Sequence, residues 1–159
     1  MDDRALREQL AKVLDWEDAH AGFGAAVEGI PPEMRGVRAE GMPHSAWELL
    51  EHLRIAQRDI LDFCRDPGYT EPSWPADYWP ASPAPPSAGA WDASIAAFRA
   101  DLEAMRALAL DASTDLFARI PHGGGQTVLR EVLLVADHNA YHVGQLVSLR
   151  HALGIWGRR

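Results

Sequence analysis

The stretch that most restricts what this chain can fold into is residues 127–153, TVLREVLLVADHNAYHVGQLVSLRHAL. It reads as one long helix, apolar over most of its surface, with Thr127 placed to cap it and Gly154 just past its end. Inside it stand His138 and His142, four residues apart. Four residues is about one helical turn, so both imidazoles leave the same face, one above the other. At ~100° per residue, Glu131, Leu134, His138, Tyr141, His142, Gln145 and Leu149 share a single stripe. Polar groups in the middle of a hydrophobic helix need partners, because burying them unpaired is costly. A metal ion is one such partner, and hydrogen bonds within the core are another.

Three further helices are expected upstream. Residues 3–27 carry Leu6, Leu10, Val13, Glu17, His20, Gly24 and Val27 at 3-4 spacing and read as one continuous helix, stopped by Pro31-Pro32. Glu17 and His20 would be polar intruders on its inner stripe. The second helix has the clearest start in the chain: Ser45-Ala46-Trp47-Glu48 is a capping box. Its apolar side runs through Leu49, Leu50, Leu53, Ala56, Ile60 and Cys64, with His52 at the edge, and Asp66-Pro67-Gly68 ends it. The third helix, residues 87–110, keeps a strict rhythm of Trp91, Ile95, Phe98, Leu102, Met105 and Ala109. Its other face, including Asp92, Arg99, Asp101, Glu103 and Arg106, is charged and should be solvated. Residues 111–126 form a loop that is expected to tuck in Leu116, Phe117 and Ile120.

Between the second and third helices lies DPGYTEPSWPADYWPASPAPPSAG, residues 66–89, which holds seven of the eleven prolines. Such a segment is stiff and extended. Tyr69, Trp74, Tyr78 and Trp79 suggest that it is plastered on the domain, either as a crossover covering a seam or as a lid over a site. No convincing strand is present. The expected fold is all-α, a single domain over residues 1–159, built as a four-helix bundle with a long Pro-rich crossover between helices 2 and 3.

Composition narrows the function. A net charge of −8 argues against nucleic acid, which requires a concentrated basic surface, and the only dense basic cluster, Gly157-Arg158-Arg159, is too small to supply one. The longest apolar run, Val132 to Ala136, is far too short to span a membrane. The single cysteine, Cys64, cannot form an internal disulfide, and MDDRALREQL lacks the layout of a signal peptide; a cytoplasmic location is expected.

The chemistry-bearing set is His52, His138 and His142. Two imidazoles at i, i+4 can share one divalent ion, and bundles commonly bring a third ligand from another helix. Three neutral nitrogens leave coordination positions open, the pattern of a catalytic rather than a closed structural site. The rival is a set of helix histidines that only hydrogen-bond.

The segments SAWELLEHLRIAQRDIL and TVLREVLLVADHNAYHVGQLVSLR carry a resemblance. With one histidine in the second helix and H-x-x-x-H in the last, the chain resembles the DinB-like superfamily, the DinB/YfiT-like metal-dependent hydrolases and thiol transferases, over nearly its whole length. The resemblance implies that His52, His138 and His142 are a metal triad. It implies the bundle with the long crossover, a homodimer, a Zn²⁺ or Ni²⁺ ion, a small-molecule substrate and a low-molecular-weight thiol as co-reactant. Hydrolysis and thiol transfer both suit a triad-bound ion. The alternative is a non-catalytic metal- or small-ligand-binding stress-response protein.

Metal-bound histidines need partners for the other ring nitrogen. Glu48, Gln145 and His20 are candidates to line the pocket or hold the ligands, with His20 also a possible fourth ligand, and Tyr141 and Glu17 are candidates for acid–base work. Each has a plain alternative: Glu48 is explained by its capping box and Gln145 by an inter-helix hydrogen bond. Other motifs fail. H-G-G-G at His122 has no nucleophile elbow to serve, and H-N-A-Y-H places Asn139 where a zinc protease needs glutamate. Cys64 reads as a small core residue, and His44 and His151 as surface groups.

Overall fold

The computed structural model describes residues 3–157. Its helices are α1 (Arg4–Val13), α2 (Phe23–Val27), α3 (Ala46–Arg65), α4 (Ala90–Leu110) and α5 (Val128–Ala152), with short 3₁₀ turns at Pro32–Met34 and Ala76–Tyr78. The described residues hold no strand, only an isolated bridge between Arg119 and Thr127. The fold is all-α. Among the described residues no helix is long and apolar enough to cross a membrane.

Local chemistry sets the ends of the two helices that matter most. At α3, the Ser45 hydroxyl accepts from the Glu48 N–H at 3.2 Å and the Glu48 carboxylate accepts from the Ser45 N–H at 2.8 Å. This capping box satisfies two donors that the helix itself leaves unpaired. At α5, the Thr127 hydroxyl accepts from the Arg130 N–H. α3 packs against both α4 and α5, α1 against α4 and α5, and α2 against α5. The interior is filled by Leu49, Leu50 and Leu53 of α3, Trp91, Phe98 and Met105 of α4, and Val132, Leu146 and Leu149 of α5. Full burial of each such side chain contributes roughly 1.5–3 kcal/mol.

The expected continuous helix over residues 3–27 is two helices separated by the non-helical residues 14–22. Side chains in and beside the gap pair with one another: the Asp18 carboxylate accepts from the Trp16 indole at 2.6 Å and pairs with Lys12 at 3.1 Å. The break also corrects the buried face. α1 buries Arg7, Leu10 and Ala11, followed by Leu14, while Leu6 is exposed. Arg7 is buried because its guanidinium donates to the Ala109, Asp111 and Thr114 carbonyls at the end of α4.

Two more expectations need correcting. The charged face of α4 is not wholly solvated: Asp101 is buried against Arg58 of α3 at 3.2 Å, and the buried Ser94 donates to Glu51. In the 111–126 loop Leu116 and Ile120 are buried, but Phe117 is exposed. The Asp115 carboxylate accepts from the Phe117 and Ala118 N–H groups, and the turn it closes faces Phe117 outward.

The Pro-rich connection is tied down along its length. The Tyr69 and Tyr78 hydroxyls each donate to Asp59 of α3 at 2.7 Å. The Ser45 hydroxyl donates to the Pro83 carbonyl at 2.5 Å. Gly36 lets this segment approach: a Cβ there would lie 2.6 Å from the Cβ of Ala84.

Candidate metal centre

His52 leaves the middle of α3, and His138 and His142 leave consecutive turns of α5. Because α3 and α5 pack side by side, the three rings meet, and one nitrogen of each lies within 4.8 Å of the other two. The His52 and His138 Nε2 atoms are 3.1 Å apart. Two nitrogens bound to one ion at ~2.05 Å and a near-tetrahedral angle would be separated by about 3.3 Å, so this spacing suits a shared ion. His52 and His142 are buried and His138 is half-buried.

The second ring nitrogens show which atom of each histidine is available. His52 Nδ1 donates to the Tyr78 carbonyl at 2.9 Å. His142 Nδ1 donates to the Gln145 side-chain oxygen at 2.7 Å. A carbonyl oxygen can only accept, so both rings carry their proton on Nδ1 and keep a lone pair on Nε2. His138 Nδ1 is buried with no hydrogen-bond partner.

Burial pushes the His138 and His142 pKa values down to about 4, with the neighbouring imidazoles adding to the effect. His52 is lowered as well, first by burial, which the Tyr78 carbonyl partly opposes. The three rings are therefore neutral near pH 7, the form that binds metal.

The 66–89 segment reaches this cluster. Its Trp79 indole stacks on His52, with ring centroids 4.0 Å apart and planes 1° from parallel, and on His44, also at 4.0 Å. His44 is thus half-buried against the indole rather than a plain surface group. Tyr141 stands edge-on to His142, with its hydroxyl accepting from Gln145 Nε2 at 3.2 Å.

A sequence model of the DinB superfamily matches residues 15–146, a span that contains all three histidines. The chain belongs to the DinB superfamily. No curated protein and no solved structure matches it. In this DinB-superfamily chain, the i, i+4 pair His138 and His142 meets His52 from the edge of the apolar side of α3, with Gln145 and Tyr141 beside them.

The other sequence candidates lie elsewhere. Glu48 is occupied by its capping box and by Arg38, which donates to it at 2.9 Å. Burial alone would raise the Glu48 carboxyl, but Arg38 and Ser45 outweigh it and hold it below the usual value. Glu17 and His20 sit exposed in the 14–22 gap and do not join the histidine group. Glu17 lies over Gly22, where a Cβ would meet its carboxylate. His20 bonds through Nδ1 to the Ala21 carbonyl and borders a groove of about 370 Å³ with Trp16, Phe23, Ala136, Ala140 and Val143. On α5, Ala136 and Ala140 are each two residues before a candidate ligand, about 200° around the helix, so this groove is on the opposite face from the histidines.

Sequence reasoning missed Tyr78, Trp79, His44, Gln57 and Asn139. The aromatics of residues 66–89 signalled that the segment is docked. Nothing local indicated that one carbonyl and one indole would land on His52.

Proposed function

We propose that this chain binds a divalent ion, Zn²⁺ or Ni²⁺, through Nε2 of His52, His138 and His142, and that it is a metal-dependent enzyme acting on a small molecule. The observation that carries this is the meeting of three neutral imidazoles from two helices, two of them with Nδ1–H tied to an oxygen so that Nε2 is left as a donor. A carboxylate-free donor set of this kind leaves a bound ion with most of its charge, able to act as a Lewis acid and to lower the pKa of a water or a thiol.

The chain's own groups prepare the site. Tyr78 and Trp79 hold the His52 ring in one orientation, from its edge and from its face. Gln145 holds His142 and links it to the Tyr141 hydroxyl. Tyr141, 63% exposed, is the acid–base candidate that a substrate could reach beside the histidines. Thiol transfer, with a low-molecular-weight thiol as co-reactant, and hydrolysis are the two reactions this reading allows. Superfamily resemblance favours the first slightly.

The same reading takes α1, α3, α4 and α5 as the four helices of the bundle, with residues 66–89 as its crossover, and the protein as a cytoplasmic homodimer. A non-catalytic metal- or small-ligand-binding protein is the alternative.

The deciding experiment is metal content of untagged protein by plasma mass spectrometry, wild type beside His138→Ala. About one ion per chain in the wild type and a loss in the variant is the expected result. Wild-type protein that takes up no ion after dialysis against Zn²⁺ and Ni²⁺ overturns the proposal.

A further inference from the structure

A metal ligand of this kind works with its second nitrogen held, and of the three histidines His138 alone has that nitrogen, Nδ1, buried and unpartnered. On the very next residue, the Asn139 side-chain oxygen is also buried and unpartnered. A buried acceptor without a donor costs roughly 1–3 kcal/mol. Two such orphans on adjacent residues beside a candidate metal centre call for a common explanation.

The direction of the Asn139 amide is imposed from α4. The Phe98 carbonyl can only accept, and the fully buried Gln57 donates to it through Nε2 at 2.7 Å. The Gln57 oxygen must then face the other way, where it accepts from Asn139 Nδ2 at 2.8 Å. Flipping either amide would set oxygen against oxygen or N–H against N–H inside the core. The Asn139 oxygen is therefore the end of a polar chain with one possible polarity, an acceptor awaiting a donor.

We propose that Asn139, oriented by Gln57, is the positioning residue for His138: its oxygen accepts the Nδ1–H of the metal-loaded protein and so turns the Nε2 lone pair toward His52. This inference rests on the metal reading above. It gives each of the three histidines an oxygen partner of different origin: the Tyr78 main chain, the Gln145 side chain and the Asn139 side chain. It also explains why an amide stands beside His138 in the H-N-A-Y-H sequence, where it ties a helix of the core to the ligand rather than serving as a base.

The test uses zinc alone as the probe. Affinity is measured by competition with a chromophoric chelator for wild type, Asn139→Leu and Asn139→Asp, with circular dichroism to verify the fold. Long-range proton–nitrogen NMR of the imidazoles is recorded on the zinc-loaded wild type. Asn139→Leu should bind zinc about 10- to 100-fold more weakly. Asn139→Asp keeps the acceptor toward His138 but sets an oxygen against the Gln57 oxygen, so it should fold less stably than wild type yet bind zinc more tightly than Asn139→Leu. The wild-type spectrum should show His138 bound through Nε2, with a slowly exchanging proton on Nδ1. That spectrum needs no variant, so it decides the question even if Asn139→Leu does not fold. Wild-type protein that binds zinc while Asn139→Leu binds it equally well, or a His138 bound through Nδ1, overturns this inference alone. Wild-type protein that binds no zinc overturns the metal reading and this inference with it.

Discussion

The Trp79 indole lies flat on the His52 imidazole, with ring centroids 4.0 Å apart and planes 1° from parallel. The residue just before it, Tyr78, accepts the Nδ1–H of the same ring. A Pro-rich connection thereby fixes both the plane and the tautomer of a helix histidine. Stacked aromatic pairs are worth about 0.5–1.5 kcal/mol beyond the area they bury. Trp79→Ala should therefore destabilise the fold by about 1–2 kcal/mol in urea titrations and weaken zinc binding several-fold. Trp79→Phe should recover most of both. An unchanged zinc affinity in Trp79→Ala would show that the stack does not orient the ligand.

Asp59 anchors that segment by accepting from two tyrosine hydroxyls, Tyr69 and Tyr78. Hydrogen bonds to a charged acceptor contribute roughly 1.5–3 kcal/mol each when shielded, and less here because Asp59 and Tyr69 are only half-buried. Asp59→Ala should cost about 2 kcal/mol. It should also speed hydrogen exchange and limited proteolysis within residues 66–89 before it affects α4 or α5. Proteolysis that instead begins elsewhere would place the anchor in another contact.

Arg7 holds the end of α4 through three carbonyls, Ala109 at 3.1 Å, Asp111 at 2.8 Å and Thr114 at 2.8 Å. A cation at a helix C-terminus is favoured by the helix dipole, and removing it leaves carbonyls unpaired. Arg7→Ala should lower stability by about 3 kcal/mol, and Arg7→Lys should recover only part of it, since one ammonium cannot reproduce the fork. A loss below about 1 kcal/mol in the urea midpoint would contradict the anchoring role.

Burial pushes the Cys64 thiol up to about 12, with the Glu131 carboxylate acting in the same direction. An unfolded thiol titrates near 8.5. Between those values the unfolded chain has lost its proton and the folded one has kept it. The stability due to the neutral thiol is thus fully present below about pH 8.5 and is lost as pH rises toward 12. Wild type should lose stability faster than Cys64→Ala as alkali is added above about pH 8.5. The same burial makes native Cys64 slow to react with disulfide reagents at pH 8, and urea should accelerate the reaction. Rapid labelling of the native protein would refute this.

Some features were legible because their chemistry closes within one helical turn. The Ser45–Glu48 capping box and the Thr127 cap are satisfied by groups three residues away, and the structure places both as the sequence indicated. The His138/His142 pair follows from helical spacing alone. The break at residues 14–22 was not legible, because the 3-4 spacing runs on through Glu17, His20 and Gly24 and no proline interrupts it before Pro31. Phe117 and Asp101 were misplaced for another reason: one turn and one ion pair outweigh hydrophobicity and charge as guides to burial.

From the sequence alone came the helical class, the start and end of α3 and α5, and the three histidines, since propensity, capping and periodicity are properties of neighbouring residues. Only the tertiary structure decided what surrounds those histidines. The Tyr78 carbonyl reaches His52 across 26 positions, and Gln57 meets Asn139 across 82. A main-chain carbonyl leaves no mark in the identity of its residue, and an amide's orientation is chosen by the donor or acceptor it faces. Such contacts exist only once α3, α4 and α5 are packed together.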